Sequence, residues 1–336
     1  MKHILIIRFS SIGDIVLCSP VLRNLKNKFP DSKIDVLTKK EFAFVWEGNP
    51  HIENILIWGV PQDSKTWKQT SYDVIFDLHN NLRSLQVKML RWDCPSITLD
   101  KQNFRKLLLV ATKKTLLKIT PIVDRYADML RVLGIEDDRQ GLDFFRLQEF
   151  EEDKIIPSSG FNQLPKSYYA LALGGSFATK QIPLKTYLKF FKETEHEVPF
   201  VLLGGGADTH MAESLEREFP GRFINLCGKL TLGQSAWVVK NAVVLISGDT
   251  GLAHIGAALG VNILWIWGNT SPKLGMQSPM KSSGGTIISM EVEGLSCRPC
   301  SKLGFSECPQ KHFKCMDHDP RIWLENLEKL SGSIHG

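Results

Sequence analysis

Asp249, Thr250, Gly251 and His254 are residues whose types and spacing could bind a polar ligand, because they follow the apolar run Ala242–Ile246 directly through Ser247-Gly248. A carboxylate and a hydroxyl there stand beside the free backbone N–H groups that open a following helix. That junction suits a phosphorylated or hydroxyl-rich ligand. A helix starting near Thr250 places His254 one turn on, at the same end of the site; the plainer reading is a structural histidine on a helix packed closely through Gly256, Ala257 and Ala258. Lys180 follows Gly174-Gly175-Ser176-Phe177-Ala178-Thr179, so a cation and two hydroxyls trail another apolar run. This composition fits a diphosphate clamp or a solvated loop lysine. It is not a Walker motif, and Gly204-Gly205-Gly206 lacks the later glycine of a dinucleotide fingerprint.

Asp14 is the matching group near the N-terminus, where His3-Ile4-Leu5-Ile6-Ile7-Arg8 runs into Ser10-Ser11-Ile12-Gly13-Asp14. It can cap a helix, or it can accept a proton from an attacking hydroxyl at the rim of an interdomain cleft. Ser19-Pro20 is a helix-start pair, which leaves Asp14 in the preceding loop; alternatively Pro20 kinks a helix that begins nearer Asp14.

The elements that must hold these groups read as alternating strands and helices. Candidate strands are 4–8, 33–37, 54–58 and 74–78, then 168–173, 200–203, 243–246 and 263–267, the last four ending in Gly-containing turns. Such an order predicts parallel sheets with the ligand loops gathered at one edge. Residues 150–167 are rich in Pro, Ser, Gly and charge and read as the connection between two domains. Ile322, Leu324, Leu327 and Leu330 give a final packed helix, and Asp317-His318-Asp319 just before it reads as capping rather than metal binding.

The chain has 336 residues, 43% hydrophobic and 23% charged, which fits two globular domains and excludes disorder. No apolar run reaches the roughly twenty residues of a membrane span, and Arg8 within the first strand is unlike a signal peptide, so a cytoplasmic protein is expected. The net charge of +5 lies wholly in residues 1–150, with 23 Lys+Arg against 18 Asp+Glu, while residues 151–336 balance at 18 each. Its densest part, Lys101 to Val123, interleaves cations with Phe104 and leucines and has no acid. It reads as a core-packed helix with a solvated basic face, or as a surface for anionic lipid or substrate. Nucleic acid is not expected, since no stacking or recognition motif accompanies the charge. Cys297, Cys300, Cys308 and Cys315 cluster near the end, leaving open free thiols packing a loop, a structural zinc site aided by His312 or His318, or disulfides.

Taken in order, these pieces resemble glycosyltransferase family 9, the ADP-heptose:lipopolysaccharide heptosyltransferases. The likeness runs through 8–14, 72–78 with Arg83, 174–180, 225–229 and 249–254, and on to Gly268-Asn269-Thr270-Ser271-Pro272. It implies a GT-B fold, two Rossmann-like α/β domains facing a central cleft. An acceptor domain over 1–155, a nucleotide-sugar domain over 168–318 and a helix over 319–332 packing back towards the first domain are expected. The resemblance further implies an inverting, metal-independent enzyme with no required cofactor, ADP-heptose as donor and a lipid-linked saccharide acceptor, working at the inner face of the membrane as a peripheral protein. Asp14 becomes the general base, with Ser11 and Gly13 as substrate contacts. Thr179 and Lys180 take the diphosphate, and Asp249, Thr250, Gly251 and His254 hold sugar and phosphate. Asn269 departs from the proline often found there. A transferase with another nucleotide sugar, a nucleotide-sugar epimerase, and a nonenzymatic nucleotide-sugar or zinc-binding protein are the competing readings.

Overall fold

β1 (His3–Ile7) is the middle strand of a parallel sheet, and Ile4, Leu5, Ile6 and Ile7 are all buried, as a strand covered on both faces requires. The computed structural model describes residues 1–149, 163–194 and 198–332. β1 pairs with β2 (Lys33–Thr38) and β4 (Val74–Asp77), setting Ile4 opposite Ile34 and Val74. β3 (Asn54–Ile57) and β5 (Ser96–Thr98) complete the order β3-β2-β1-β4-β5. Chain order reverses between β1 and β4, so the loops leaving their carboxyl ends border a switch point, the ligand position of open α/β sheets.

The helices of this stretch are α1 (Ile12–Val16), α2 (Ser19–Lys28), α3 (Pro61–Gln69), α4 (Leu82–Leu90), α5 (Asn103–Thr112) and α6 (Ile122–Arg131). Ser19-Pro20 does begin α2, with proline where its missing N–H is no loss. Asp14, however, is not in a loop: it is the third residue of the short α1. The basic stretch also differs from a core-packed helix with a solvated basic face. It is helical only to Thr112, and Lys106 is buried while Phe104 and Leu107 are exposed.

The chain divides into two units, Met1–Asn103 with Thr120–Arg146, and Phe104–Ile119 with Leu147–Gly336. Most of the connecting stretch 150–167 lies outside the described residues.

The second unit holds β6 (Tyr169–Ala172), β7 (Phe200–Leu203), β8 (Phe223–Asn225), β9 (Val244–Ser247), β10 (Asn262–Trp267) and β11 (Ile287–Glu291). They form a parallel sheet in the order β11-β10-β9-β6-β7-β8, whose switch point lies between β6 and β9. The Gly-containing turns after β6, β7, β9 and β10 therefore share one edge, as expected. α7 (Leu184–Glu193), α8 (Thr209–Glu218), α9 (Leu232–Lys240), α10 (Gly251–Leu259) and α11 (Pro320–Gly332) cover its faces.

One face buries an aromatic group, Phe190, Phe191, Phe200 and Phe223, with Trp323, Leu327 and Leu330 of α11. The helix expected to turn back towards the first domain buries Trp323, Leu327 and Leu330 among second-unit residues, each contributing about 1.5–3 kcal/mol, while Ile322 is exposed. The other face packs Leu245, Ile263 and Trp265 under Ala253 and Ala257 of α10. Among the described residues no helix is long and apolar enough to cross a membrane.

Candidate active site

At the switch point of the first unit, Arg8 leaves β1 and reaches three ways. Its Nη1 donates to the Leu78 carbonyl at 2.5 Å, its Nε to the Ser10 carbonyl at 2.8 Å, and its Nη2 pairs with Asp14 at 2.7 Å. The other Asp14 oxygen accepts from the Ser11 hydroxyl at 2.8 Å and the Ser11 amide at 3.2 Å. Burial opposes the Arg8 charge, but Asp14, with Tyr126 and Cys18, outweighs it and the guanidinium is held above its ordinary value. Asp14 is thus a fixed carboxylate with a quarter of its side chain exposed, at 25%. Gly13 is buried in α1, and Ser11, expected as a substrate contact, turns its hydroxyl to Asp14.

His79, which sequence reasoning passed over, follows β4 at the same edge. Asp77 is fully buried, pairs with Lys88 at 2.9 Å, and accepts the amides of His79 and Asn80 at 3.1 and 2.7 Å, so it shapes the turn that carries the imidazole. The ring meets Phe9 edge-on at 5.3 Å, and burial together with the Arg8 cation pushes its pKa down to about 4. It is a neutral imidazole at physiological pH. The available signal was its place one residue beyond the apolar run 74–78.

In the second unit, Lys180 and Asp249 leave β6 and β9 and meet across the switch point. Lys180 Nζ is 2.7 Å from Asp249 Oδ2, which also accepts from the Thr270 hydroxyl at 2.9 Å. Thr250 is the N-cap of α10, and its hydroxyl lies 2.9 Å from that of Ser247. The first N–H groups of a nine-residue helix, starting at Gly251, therefore open beside a lysine. Two sources of positive potential at one point make an anion site. Gly248 is required by crowding, since a Cβ there would sit 2.4 Å from the Lys180 carbonyl oxygen.

His254 is buried on the first turns of α10, with Nδ1 2.7 Å from the Ser278 hydroxyl and Nε2 4.0 Å from Asp249. Its ring lies edge-on to Trp265 at 5.1 Å. That places it behind Asp249 as a positioning group.

Thr179, expected beside the diphosphate, is bonded to the loop at Phe305. Its buried hydroxyl donates to the Phe305 carbonyl at 3.1 Å and accepts the Phe305 amide at 2.8 Å, which pins the 301–305 loop.

Arg298 was invisible as a site residue because it sits inside Cys297-Arg298-Pro299-Cys300. Its guanidinium donates to the carbonyls of Gly268 at 2.5 Å, Thr270 at 2.8 Å, Val292 at 3.1 Å and Trp267 at 3.2 Å, and pairs with Glu291 at 2.9 Å. It straps the turn after β10 and so orients Thr270 towards Asp249. The Asn269 backbone carbonyl is held by the Cys300 amide at 2.9 Å, while its buried carboxamide has no hydrogen-bond partner among the described residues.

The zinc reading of Cys297, Cys300, Cys308 and Cys315 is not confirmed by the geometry. Among the described residues no group of three or more Cys, His, Asp or Glu side chains is placed to hold a metal ion. The seven cysteines are free thiols. Burial first, then the neighbouring cysteine sulfurs, pushes Cys300 up to about 11; burial likewise pushes Cys315, in the aromatic core, up to about 11.

Two Rossmann-like units, each built on a parallel sheet whose order reverses at a switch point, are the architecture of the GT-B class of glycosyltransferase. The sequence profile of glycosyltransferase family 9 (heptosyltransferase) matches residues 64–302, and the chain belongs to that family. It is a glycosyltransferase. It is 24% identical to lipooligosaccharide heptosyltransferase 2 of Haemophilus influenzae over 98% of this chain and 99% of that one. Its fold is similar to the crystal structure of a family 9 glycosyl transferase from Veillonella parvula DSM 2008, with a TM-score of 0.72, 19% identity and coverage of 99% and 98% of the two chains. It is likewise similar to an E. coli ADP-heptose lps heptosyltransferase II, with a TM-score of 0.69, 18% identity and both chains covered in full, at 100%.

Proposed function

We propose that this chain transfers heptose from ADP-heptose to a lipid-linked, inner-core lipopolysaccharide acceptor, with inversion and without a catalytic metal, at the cytoplasmic face of the membrane. The observation that carries the reading is the Lys180–Asp249 pair beside the opening N–H groups of α10, in a chain of this family. Full-length similarity to proteins that bear heptosyltransferase names supports the sugar, and ADP-heptose in one such name supports the donor.

In this reaction the acceptor hydroxyl oxygen attacks the anomeric carbon, its proton passes to Asp14, and the bond from that carbon to the ADP oxygen breaks. The departing diphosphate gains negative charge, which Lys180 and the helix-end donors stabilise. Residues 1–155 would carry the acceptor and 168–318 the nucleotide sugar, with 319–332 as the helix that packs back towards the first domain. Ser11 and Gly13 shape the acceptor side. Thr250 and Gly251 supply the helix-end contacts, with Asp249 and His254 ordering them.

The test is turnover of purified protein with ADP-heptose and a heptose-deficient inner-core acceptor, with the anomeric configuration of the product read by NMR. Inverted product is expected, and Asp14→Asn should remove transfer while ADP still binds in calorimetry. Turnover of a different nucleotide sugar in place of ADP-heptose would replace the donor, and full activity of Asp14→Asn would remove Asp14 as base.

A further inference from the structure

The segment from Phe104 to Lys118 is anchored on one side and bare on the other. Leu109 and Ile119 pack with Leu274, Lys106 Nζ lies 3.5 Å from Met276 Sδ, and Lys113 donates to the Pro299 carbonyl at 2.8 Å. Arg105 donates to the Lys118 carbonyl at 2.7 Å, which ties the segment's ends together. With that side fixed, Phe104 is 71% exposed, Leu107 54%, Leu116 58% and Leu117 41%. Arg105, Lys114 and Lys118 are exposed among them, and no acidic residue occurs from Lys101 to Val123.

A face turned only to water would not place phenylalanine and leucines outward while burying a lysine. Apolar side chains interleaved with cations match the boundary between lipid headgroups and acyl chains. We infer that residues 104–118 form a docking surface for an anionic lipid bilayer. Charge decides the occupant. A second copy of the chain paired through this patch would set cations against cations, because a twofold interface brings the same surface to itself. The inference rests on the proposed lipid-linked acceptor and names the surface by which the enzyme reaches it.

The experiment is flotation of the full-length protein, without nucleotide, on phosphatidylcholine vesicles with and without phosphatidylglycerol. Wild type should float with the anionic vesicles, and added salt should weaken this. Arg105→Glu with Lys114→Glu and Lys118→Glu should lower the vesicle partition by roughly 100-fold or more, since each cation near such a surface is worth about a factor of five. Phe104→Ser with Leu107→Ser should also detach the protein. A control, Leu85→Ser with Met89→Ser, removes exposed apolar groups of α4 and should leave flotation unchanged.

Unchanged melting temperatures and ADP binding show that the variants fold. Failure of wild type to float, flotation of the 104–118 variants like wild type, or loss only in the α4 control overturns the inference, as does a dimer dissolved by those variants without vesicle binding. Flotation needs no turnover, so a protein that floats without transferring heptose loses the proposed reaction and keeps this surface.

Discussion

The Lys180 ammonium lies 2.7 Å from the Asp249 carboxylate, joining the loops after β6 and β9 where the order of the second sheet reverses. The pair holds a cation at the mouth of α10 without lending it wholly to solvent, since Asp249 is buried and also bound by Thr270. Lys180→Met should lower kcat by roughly 100-fold or more, the usual loss when one donor to a developing anion is removed. ADP affinity should fall with it. Lys180→Arg should recover part of both, and wild-type kcat in the methionine variant would remove Lys180 from the diphosphate site.

His79 should help position the acceptor as a neutral group. Its pKa, lowered to about 4 by burial and then by Arg8, leaves the ring uncharged above that value. His79→Phe is expected to lower kcat/KM for the acceptor by roughly ten- to a hundredfold through misplacement, with ADP binding unchanged. His79→Gln should retain more activity than the phenylalanine variant. Between pH 5 and 8 the acceptor profile should show no break due to this residue; a break near its ordinary value of 6.5 that disappears in His79→Gln would contradict the neutral assignment.

Arg298 should be a stability residue whose loss also loosens the site. Arg298→Ala leaves Glu291 and four backbone carbonyls without their shared donor, at an expected cost of about 3 kcal/mol or more. Lysine cannot reproduce the planar fork and should rescue only part. Urea unfolding should show a lower midpoint with an unchanged slope, and a midpoint equal to wild type would show the strap to be dispensable.

His318 should make the protein acid-sensitive. Burial first, then the Arg298 cation, lowers its pKa to about 4 from 6.5. Above 6.5 neither folded nor unfolded chain protonates it, so its contribution to stability is fully present. As pH falls from 6.5 towards 4, the unfolded chain takes a proton that the folded chain refuses, and stability declines by roughly 2–3 kcal/mol. His318→Asn should flatten this part of the curve of melting temperature against pH. An equally steep decline in the variant would assign the effect elsewhere.

Much of this was legible in the chain itself. Strands such as 168–173 and 200–203 are short, apolar runs bounded by turn residues, so local pattern located them within a residue or so. β5 and β8 have only three residues each and lie at sheet edges, and β11 is only partly buried, which leaves too little periodic signal to mark them. Asp14, Lys180 and Asp249 stood out because each follows such a run beside glycine. His79 and Arg298 did not, because one sits in a polar turn and the other among cysteines that drew attention to metal.

The sequence by itself determined two α/β units, their strand ends and the family, because aliphatic runs and Gly-containing turns are local properties of the chain. Only tertiary structure decided which groups meet. Lys180 and Asp249 are brought together by parallel pairing of β6 with β9, Arg8 reaches Leu78 because β1 lies beside β4, and Thr179 is turned to Phe305. It also decided that Phe104 and Leu107 face outward, since whether a side chain is buried depends on what the rest of the fold leaves free to cover it.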